Sequence, residues 1–97
     1  MALKISLEQW QTFKTVVDEG SFARAADKLN KSQSAVSYLI GKLNATLPSP
    51  VLALQGRKTE LTELGKQLYR KASVLVEQAQ GIERAAEILS EGDGNRK

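Results

Sequence analysis

The groups best suited to recognition chemistry in this chain are Ser34, Ser37, Tyr38 and Lys42. At 100° per residue they fall on one side of a short helix, together with Gly41 and Ala45. That side carries hydroxyls and an ammonium but no carboxylate, so it can approach phosphates and hydrogen-bond to base edges. The opposite side carries Val36, Leu39, Ile40, Leu43 and Leu47 at helical spacing, which must face a core. Just upstream, Phe22, Ala25, Ala26 and Leu29 recur at i, i+3, i+4 and i+7, and Ser21 is placed to cap them. Gly20 to Leu47 therefore reads as two amphipathic helices joined by a tight polar turn. This is the pattern of a helix-turn-helix whose second helix enters a DNA major groove.

Composition removes the competing chemistries. The 97 residues suffice for one small domain with a modest core. They include no Cys and no His, so disulfides, thiolate metal sites and Ser-His-Asp or Cys-His catalysis are all impossible. No paired-carboxylate or glycine-rich phosphate motif takes their place, and neither an enzyme nor a cofactor is expected. A signal-peptide pattern and a membrane-length apolar run are both lacking, and the expected compartment is the cytoplasm.

The net charge of +3 is unevenly spread. Residues 1–19 and 59–97 each carry −1, whereas residues 20–58 carry +5, from Arg24, Lys28, Lys31, Lys42, Arg57 and Lys58 against Asp27 alone. The excess positive charge coincides with the helix-turn-helix and the segment after it.

The remaining elements are those needed to hold that motif. Ser6 and Gln9 form a capping box with Ile5 and Trp10 as a hydrophobic staple, and Leu7, Trp10, Phe13 and Val17 continue a first helix to a left-handed cap at Gly20. Trp10 and Phe13 read as packing rather than as a base-stacking platform. Pro48 and Pro50 end the third helix. Val51–Leu54 and Lys58–Leu61 then flank Gln55-Gly56-Arg57 as a short hairpin, either a DNA-contacting wing or a solvated surface turn.

From Thr62 to about Ser90 the apolar pattern becomes heptad-like: Leu68, Ala72, Leu75, Ala79, Ile82, Ala86 and Leu89. A helix of about 40 Å exceeds what so small a domain can cover, and the seam reads as a dimer interface. The competing reading is that further chain covers it. Residues 91–97 are polar and expected to be a disordered tail.

These residues resemble the N-terminal DNA-binding region of LysR-type transcriptional regulators. The resemblance runs from about Leu7 to Leu75. It includes Phe13, Val16, Gly20-Ser21-Phe22, Ala25-Ala26, Leu29, Ser32 through Ser37, Ile40, Leu43, Leu47, Leu61-Thr62 and Gly65. It implies a mainly α fold: a winged helix-turn-helix over residues 1–61, with a three-helix core and a β-hairpin wing, and a linker and dimerisation helix over 62–90. Through that helix two subunits would pair antiparallel. It further implies a separate small-molecule sensing domain, of which these residues contain nothing, so the chain is expected to be an excised fragment, the alternative being a naturally short relative. Three positions depart from the family pattern: Asn44 where Glu is usual, Pro48 where Gly is usual, and Leu54 where Arg is usual.

Carried over position by position, the resemblance assigns base reading to Gln33, Ser34, Ser37 and Tyr38. The Gln33 amide can pair bidentately with adenine, and Tyr38 stands where many relatives have Arg. Contacts to the DNA backbone fall to Ser21, Arg24, Lys31, Ser32, Lys42, Arg57, Lys58 and Thr62. The expected function is sequence-specific duplex binding by a homodimer. The alternative is a helical protein-interaction module whose basic patch is incidental, which would show little affinity for DNA.

Overall fold

A computed structural model describes residues 3–55 and 58–95. Its elements are α1 (Leu7–Glu19), α2 (Phe22–Leu29), α3 (Gln33–Thr46), β1 (Leu52–Gln55), β2 (Lys58–Leu61) and α4 (Glu63–Asn95). This is the expected winged helix-turn-helix with a long C-terminal helix.

The caps are where the side chains require them. Ser6 and Gln9 close a reciprocal box: the Gln9 amide donates to Ser6 Oγ at 3.2 Å, and the Ser6 amide donates to Gln9 Oε1 at 2.9 Å. Gly20 ends α1 at φ 79°, a left-handed conformation that favours glycine, and its N–H reaches the Val16 carbonyl.

The core lies where α1, α2 and α3 meet, roofed by Val51, Leu52 and Ala72. Phe13 is fully buried and makes edge-on contacts with Trp10 and Tyr69, at centroid distances of 6.2 and 6.4 Å. It is therefore packing and cannot be a stacking platform. In α1 the buried stripe is turned from its expected position: Val16 is fully buried, Val17 only partly so, and Leu7 is exposed. The cause is that α1 is covered on three sides, by α2, α3 and α4, so no single stripe describes it.

The hairpin starts one residue later than expected. Leu52 pairs with Leu61 and Gln55 with Lys58 in antiparallel register. Val51 is the point where the ladder stops: its carbonyl still accepts from the Thr62 amide at 3.1 Å, in line with the register, but its own N–H is taken by Asn44 Oδ1 at 2.9 Å. Leu47, preceding Pro48, is extended at φ −84° and ψ 158°, the conformation that the clash with a following proline favours, and α3 ends there.

Two expectations for α4 need correction. It continues through Asn95, so residues 91–95 are helical rather than a disordered tail, and residues 96–97 lie outside the described residues. Gly92 and Gly94 suggest a stop, but glycine only weakens a helix, since it keeps the backbone N–H that proline lacks. Second, the proposed seam is divided. Ala72 is buried in this chain's own core, Leu68 packs against that core, and Val76, outside the expected pattern, is buried beside them. Leu75, Ile82 and Leu89 are 44%, 70% and 68% exposed. The helix packs antiparallel to α1: Asp18 near the end of α1 meets Tyr69, while Leu7 and Gln11 near its start lie beside Val76, Ala79 and Glu83. Beyond Glu83, α4 projects for about 18 Å. A heptad stripe on a straight helix also drifts by about 20° per repeat, which carries Ile82 and Leu89 away from α1. No helix among the described residues is long and apolar enough to cross a membrane.

Candidate nucleic-acid interface

The turn between α2 and α3 fixes how the second helix is presented. Ser21 caps α2 by accepting from the Arg24 amide at 3.0 Å. At the other end Asn30 adopts the left-handed conformation (φ 56°, ψ 44°), its N–H reaching the Asp27 carbonyl while the Lys31 N–H reaches that of Ala26. This pair of bonds is a Schellman closure, with asparagine in the position glycine usually fills. Sequence reasoning passed over Asn30, although asparagine's tolerance of positive φ is the signal that could have found it. Two residues on, Ser32 caps α3 by accepting from the Ala35 amide at 3.1 Å.

Val36, Ile40 and Leu43 anchor α3 in the core, with Leu39 and Leu47 partly buried. This rotation leaves Gln33, Ser34, Ser37, Tyr38, Gly41, Lys42 and Ala45 exposed. Tyr38 is 63% exposed, and the Lys42 ammonium lies 5.8 Å from its ring centroid, within cation–π range. The four residues assigned to base reading thus share one acid-free face of α3. Ser21, Arg24 and Ser32 surround the starts of α2 and α3. The Ser21 hydroxyl accepts its capping bond and retains a hydrogen to donate, whereas that of Ser32 also pairs with Ser34 Oγ at 3.3 Å, where either oxygen can be the donor.

Lys31, Thr62, Arg57 and Lys58 stand differently. Lys31 forms an ion pair with Glu8 of α1, a partner 23 positions away that the sequence did not suggest. Thr62 caps α4: its Oγ1 accepts from the Gly65 amide at 3.0 Å and donates to the Pro50 carbonyl at 2.8 Å. Its only hydroxyl hydrogen is committed within the chain, so its side chain is structural. Arg57 and the side chain of Lys58 lie outside the described residues; the backbone of Lys58 opens β2.

The wing is tied to α3 by Asn44. Its Oδ1 accepts from the Val51 amide at 2.9 Å and its Nδ2 donates to the Leu52 carbonyl at 3.2 Å. Away from this face, Asp18 is held by Lys14 at 2.6 Å and by the Tyr69 hydroxyl. Burial works to raise the Asp18 pKa, but the hydrogen bonds from Lys14 and Tyr69 together hold it below its ordinary value. Hydrogen bonding to Asp18 raises the pKa of Lys14 and of Tyr69 in turn.

Comparison with known proteins places this arrangement. Residues 7–66 match the family described as bacterial regulatory helix-turn-helix protein, lysR family. The HTH-type transcriptional regulator YhaJ of Escherichia coli O157:H7 is 34% identical over 88 residues, 91% of this chain and 30% of that protein. The HTH-type transcriptional regulator CrgA of Neisseria meningitidis is 35% identical over 81 residues, 84% of this chain and 27% of that protein. The chain thus spans about 30% of the length of the curated relatives it matches. Among solved structures, the DNA-binding domain of BenM in complex with catB site 1 DNA superposes with a TM-score of 0.80 at 28% identity, covering 89% of this chain and 97% of that one. The DNA-binding domain of CbnR in its DNA complex gives a TM-score of 0.77 at 26% identity, covering 89% and 99%. With the family matched over residues 7–66, and with the capped α2–turn–α3 unit, its exposed acid-free face and the wing all in place, the chain belongs to the LysR family of bacterial regulatory helix-turn-helix proteins.

Proposed function

We propose that this chain binds duplex DNA sequence-specifically, as the DNA-binding region of a transcriptional regulator, with α3 in the major groove. The observation that carries the reading is the acid-free face of α3, standing on a scaffold shared with domains solved on DNA. Gln33, Ser34, Ser37 and Tyr38 read bases. Ser21, Arg24, Ser32, Lys42, Arg57 and Lys58 contact phosphates, helped by the free amides at the starts of α2 and α3. Lys31 joins them by exchanging Glu8 for a phosphate. Thr62 contributes by closing the base of the wing.

The functional unit is a homodimer formed through the exposed stripe of α4, with Leu75, Ile82 and Leu89 at its seam and Ala79 and Ala86 allowing close approach. Exposed side chains of this size along one stripe, with Ile82 and Leu89 turned away from α1, support it. The chain works in the compartment that holds the DNA.

Selection of bound sequences from random duplexes tests the reading, followed by titration of selected and scrambled duplexes over a range of salt. A sequence preference and a log–log salt slope of several units are expected. Equal, weak binding of both duplexes would refute it.

A further inference from the structure

The described glycines divide according to whether the fold needs them. Gly20 has a positive φ, and at Gly65 a Cβ would lie 2.2 Å from the Val51 carbonyl oxygen. Gly41 has neither reason. Its φ is not positive, a Cβ there would meet nothing within 4 Å, and it is exposed in the interior of α3. Glycine at such a position weakens a helix relative to alanine. For the free chain it is a loss with no compensating contact.

Its place on the helix supplies a reason. Gly41 follows Ser34 by seven residues and Ser37 by four, and Ala45 follows it by four, so all four lie along one line of the exposed face. Gln33 lies on one flank of that line, and Tyr38 with Lys42 above its ring on the other. The side chains with reach stand to the sides, and the midline is low. A helix with its side chains is about 10–12 Å across and the major groove about 12 Å wide, so one carbon on the leading surface changes how deeply the helix can seat.

We propose that Gly41 is a specificity-determining positioning residue. Its missing side chain lets the α3 backbone seat deeply enough in B-form DNA for the flanking groups to reach base edges. This rests on the DNA-reading assignment above. A complex held by phosphates alone does not need that depth, so Gly41 acts on specific binding only.

The test compares Gly41→Ala and Gly41→Leu with wild type, and with Gly81→Ala as a control. Gly81 sits in α4, where a Cβ would also meet nothing within 4 Å. Melting temperature and affinity for the selected and a scrambled duplex are measured at one salt concentration. Gly41→Ala should melt a few degrees higher, since alanine stabilises a helix. It should bind the selected duplex about tenfold more weakly, the scale of one lost base contact, with its scrambled-duplex affinity unchanged. Gly41→Leu should lose more, and Gly81→Ala should melt higher without losing affinity. Unchanged or tighter binding by Gly41→Ala overturns the proposal. So do equal losses on both duplexes, or a matching loss in Gly81→Ala. A wild-type chain that does not distinguish the duplexes overturns the DNA-reading assignment itself, and this inference with it.

Discussion

Asn44 grips the backbone at Val51, accepting its N–H at 2.9 Å and donating from the same carboxamide to the next carbonyl at 3.2 Å. The contact joins α3 to the start of the wing, so the two parts of the proposed interface share one anchor point. Asn44 is a departure from the usual Glu of the resembled family, and the structure explains how it serves. A carboxylate could accept from Val51 but could not donate to Leu52.

Loss of that grip should therefore be costly. Asn44→Ala leaves the N–H of a fully buried residue unsatisfied and should lower stability by about 1–3 kcal/mol. Asn44→Asp retains the acceptor and should lose less. Denaturant unfolding midpoints of the three proteins check the order, and an Asn44→Ala protein as stable as wild type would show the contact to be idle.

The contrast between Asn44 and the caps shows what was legible in the residues and what was not. Ser6, Gly20, Ser21 and Ser32 act on neighbours three or four positions away, so their roles follow from local spacing alone. The stripes of α2 and α3 were legible for the same reason. Asn44 with Val51, Lys31 with Glu8 and Tyr69 with Asp18 join elements whose relative placement no periodicity encodes. The α4 seam shows the limit most plainly. A heptad says that a stripe is covered, but not that α1 covers Ala72 while Ile82 is left open. The exposed face of α3 was legible as a face, whereas the fact that Thr62 spends its hydroxyl on Pro50 was not.

Acid and alkali should each undo part of the α1–α4 contact. The folded pKa of Asp18 lies below its unfolded value, so its contribution is complete above the unfolded pKa and is lost as pH falls through the folded one, below about 4. Lys14 and Tyr69 are raised on folding, so their contribution is complete below their unfolded values and fades as pH climbs past their folded ones, above about 10. Melting temperature should be flat from about pH 5 to 9 and fall on both sides. Asp18→Asn should melt lower across the plateau and show a shallower acid limb. A constant gap between the two proteins from pH 2.5 to 7 would rule out this role for Asp18.

The dimer is best probed at Ile82, because the structure leaves it 70% exposed while Ala79 sits beside α1. Ile82→Glu should change the stability of a single subunit by no more than about 0.5 kcal/mol, as surface changes usually do. In a seam it would bury unpaired charges, so the dimer should dissociate. Sedimentation should find wild type dimeric and the variant monomeric at tens of micromolar. The variant's affinity for a two-half-site duplex should drop by about a hundredfold as the linked second half-site is lost. Monomeric wild type at that concentration would remove the dimer from the proposal.

Gln33 decides whether α3 reads DNA or only rests on it. It is the first residue of the helix, directly after the Ser32 cap and well away from the buried Val36, Ile40 and Leu43. Its exposed side chain leaves the amide free for a bidentate pair with adenine, and the fold has little to lose by its removal. Gln33→Ala should shift stability by no more than about 0.5 kcal/mol. It should weaken binding to the selected duplex by about 1–3 kcal/mol, the worth of one bidentate base contact, and leave the scrambled duplex and the salt slope as they were. Lys42→Ala should do the reverse, weakening both duplexes alike and lowering the slope by about one. Paired titrations with a melting curve on each variant distinguish the two behaviours. Equal losses for Gln33→Ala on both duplexes would move it from the bases to the backbone, and a large drop in its melting temperature would make it part of the fold.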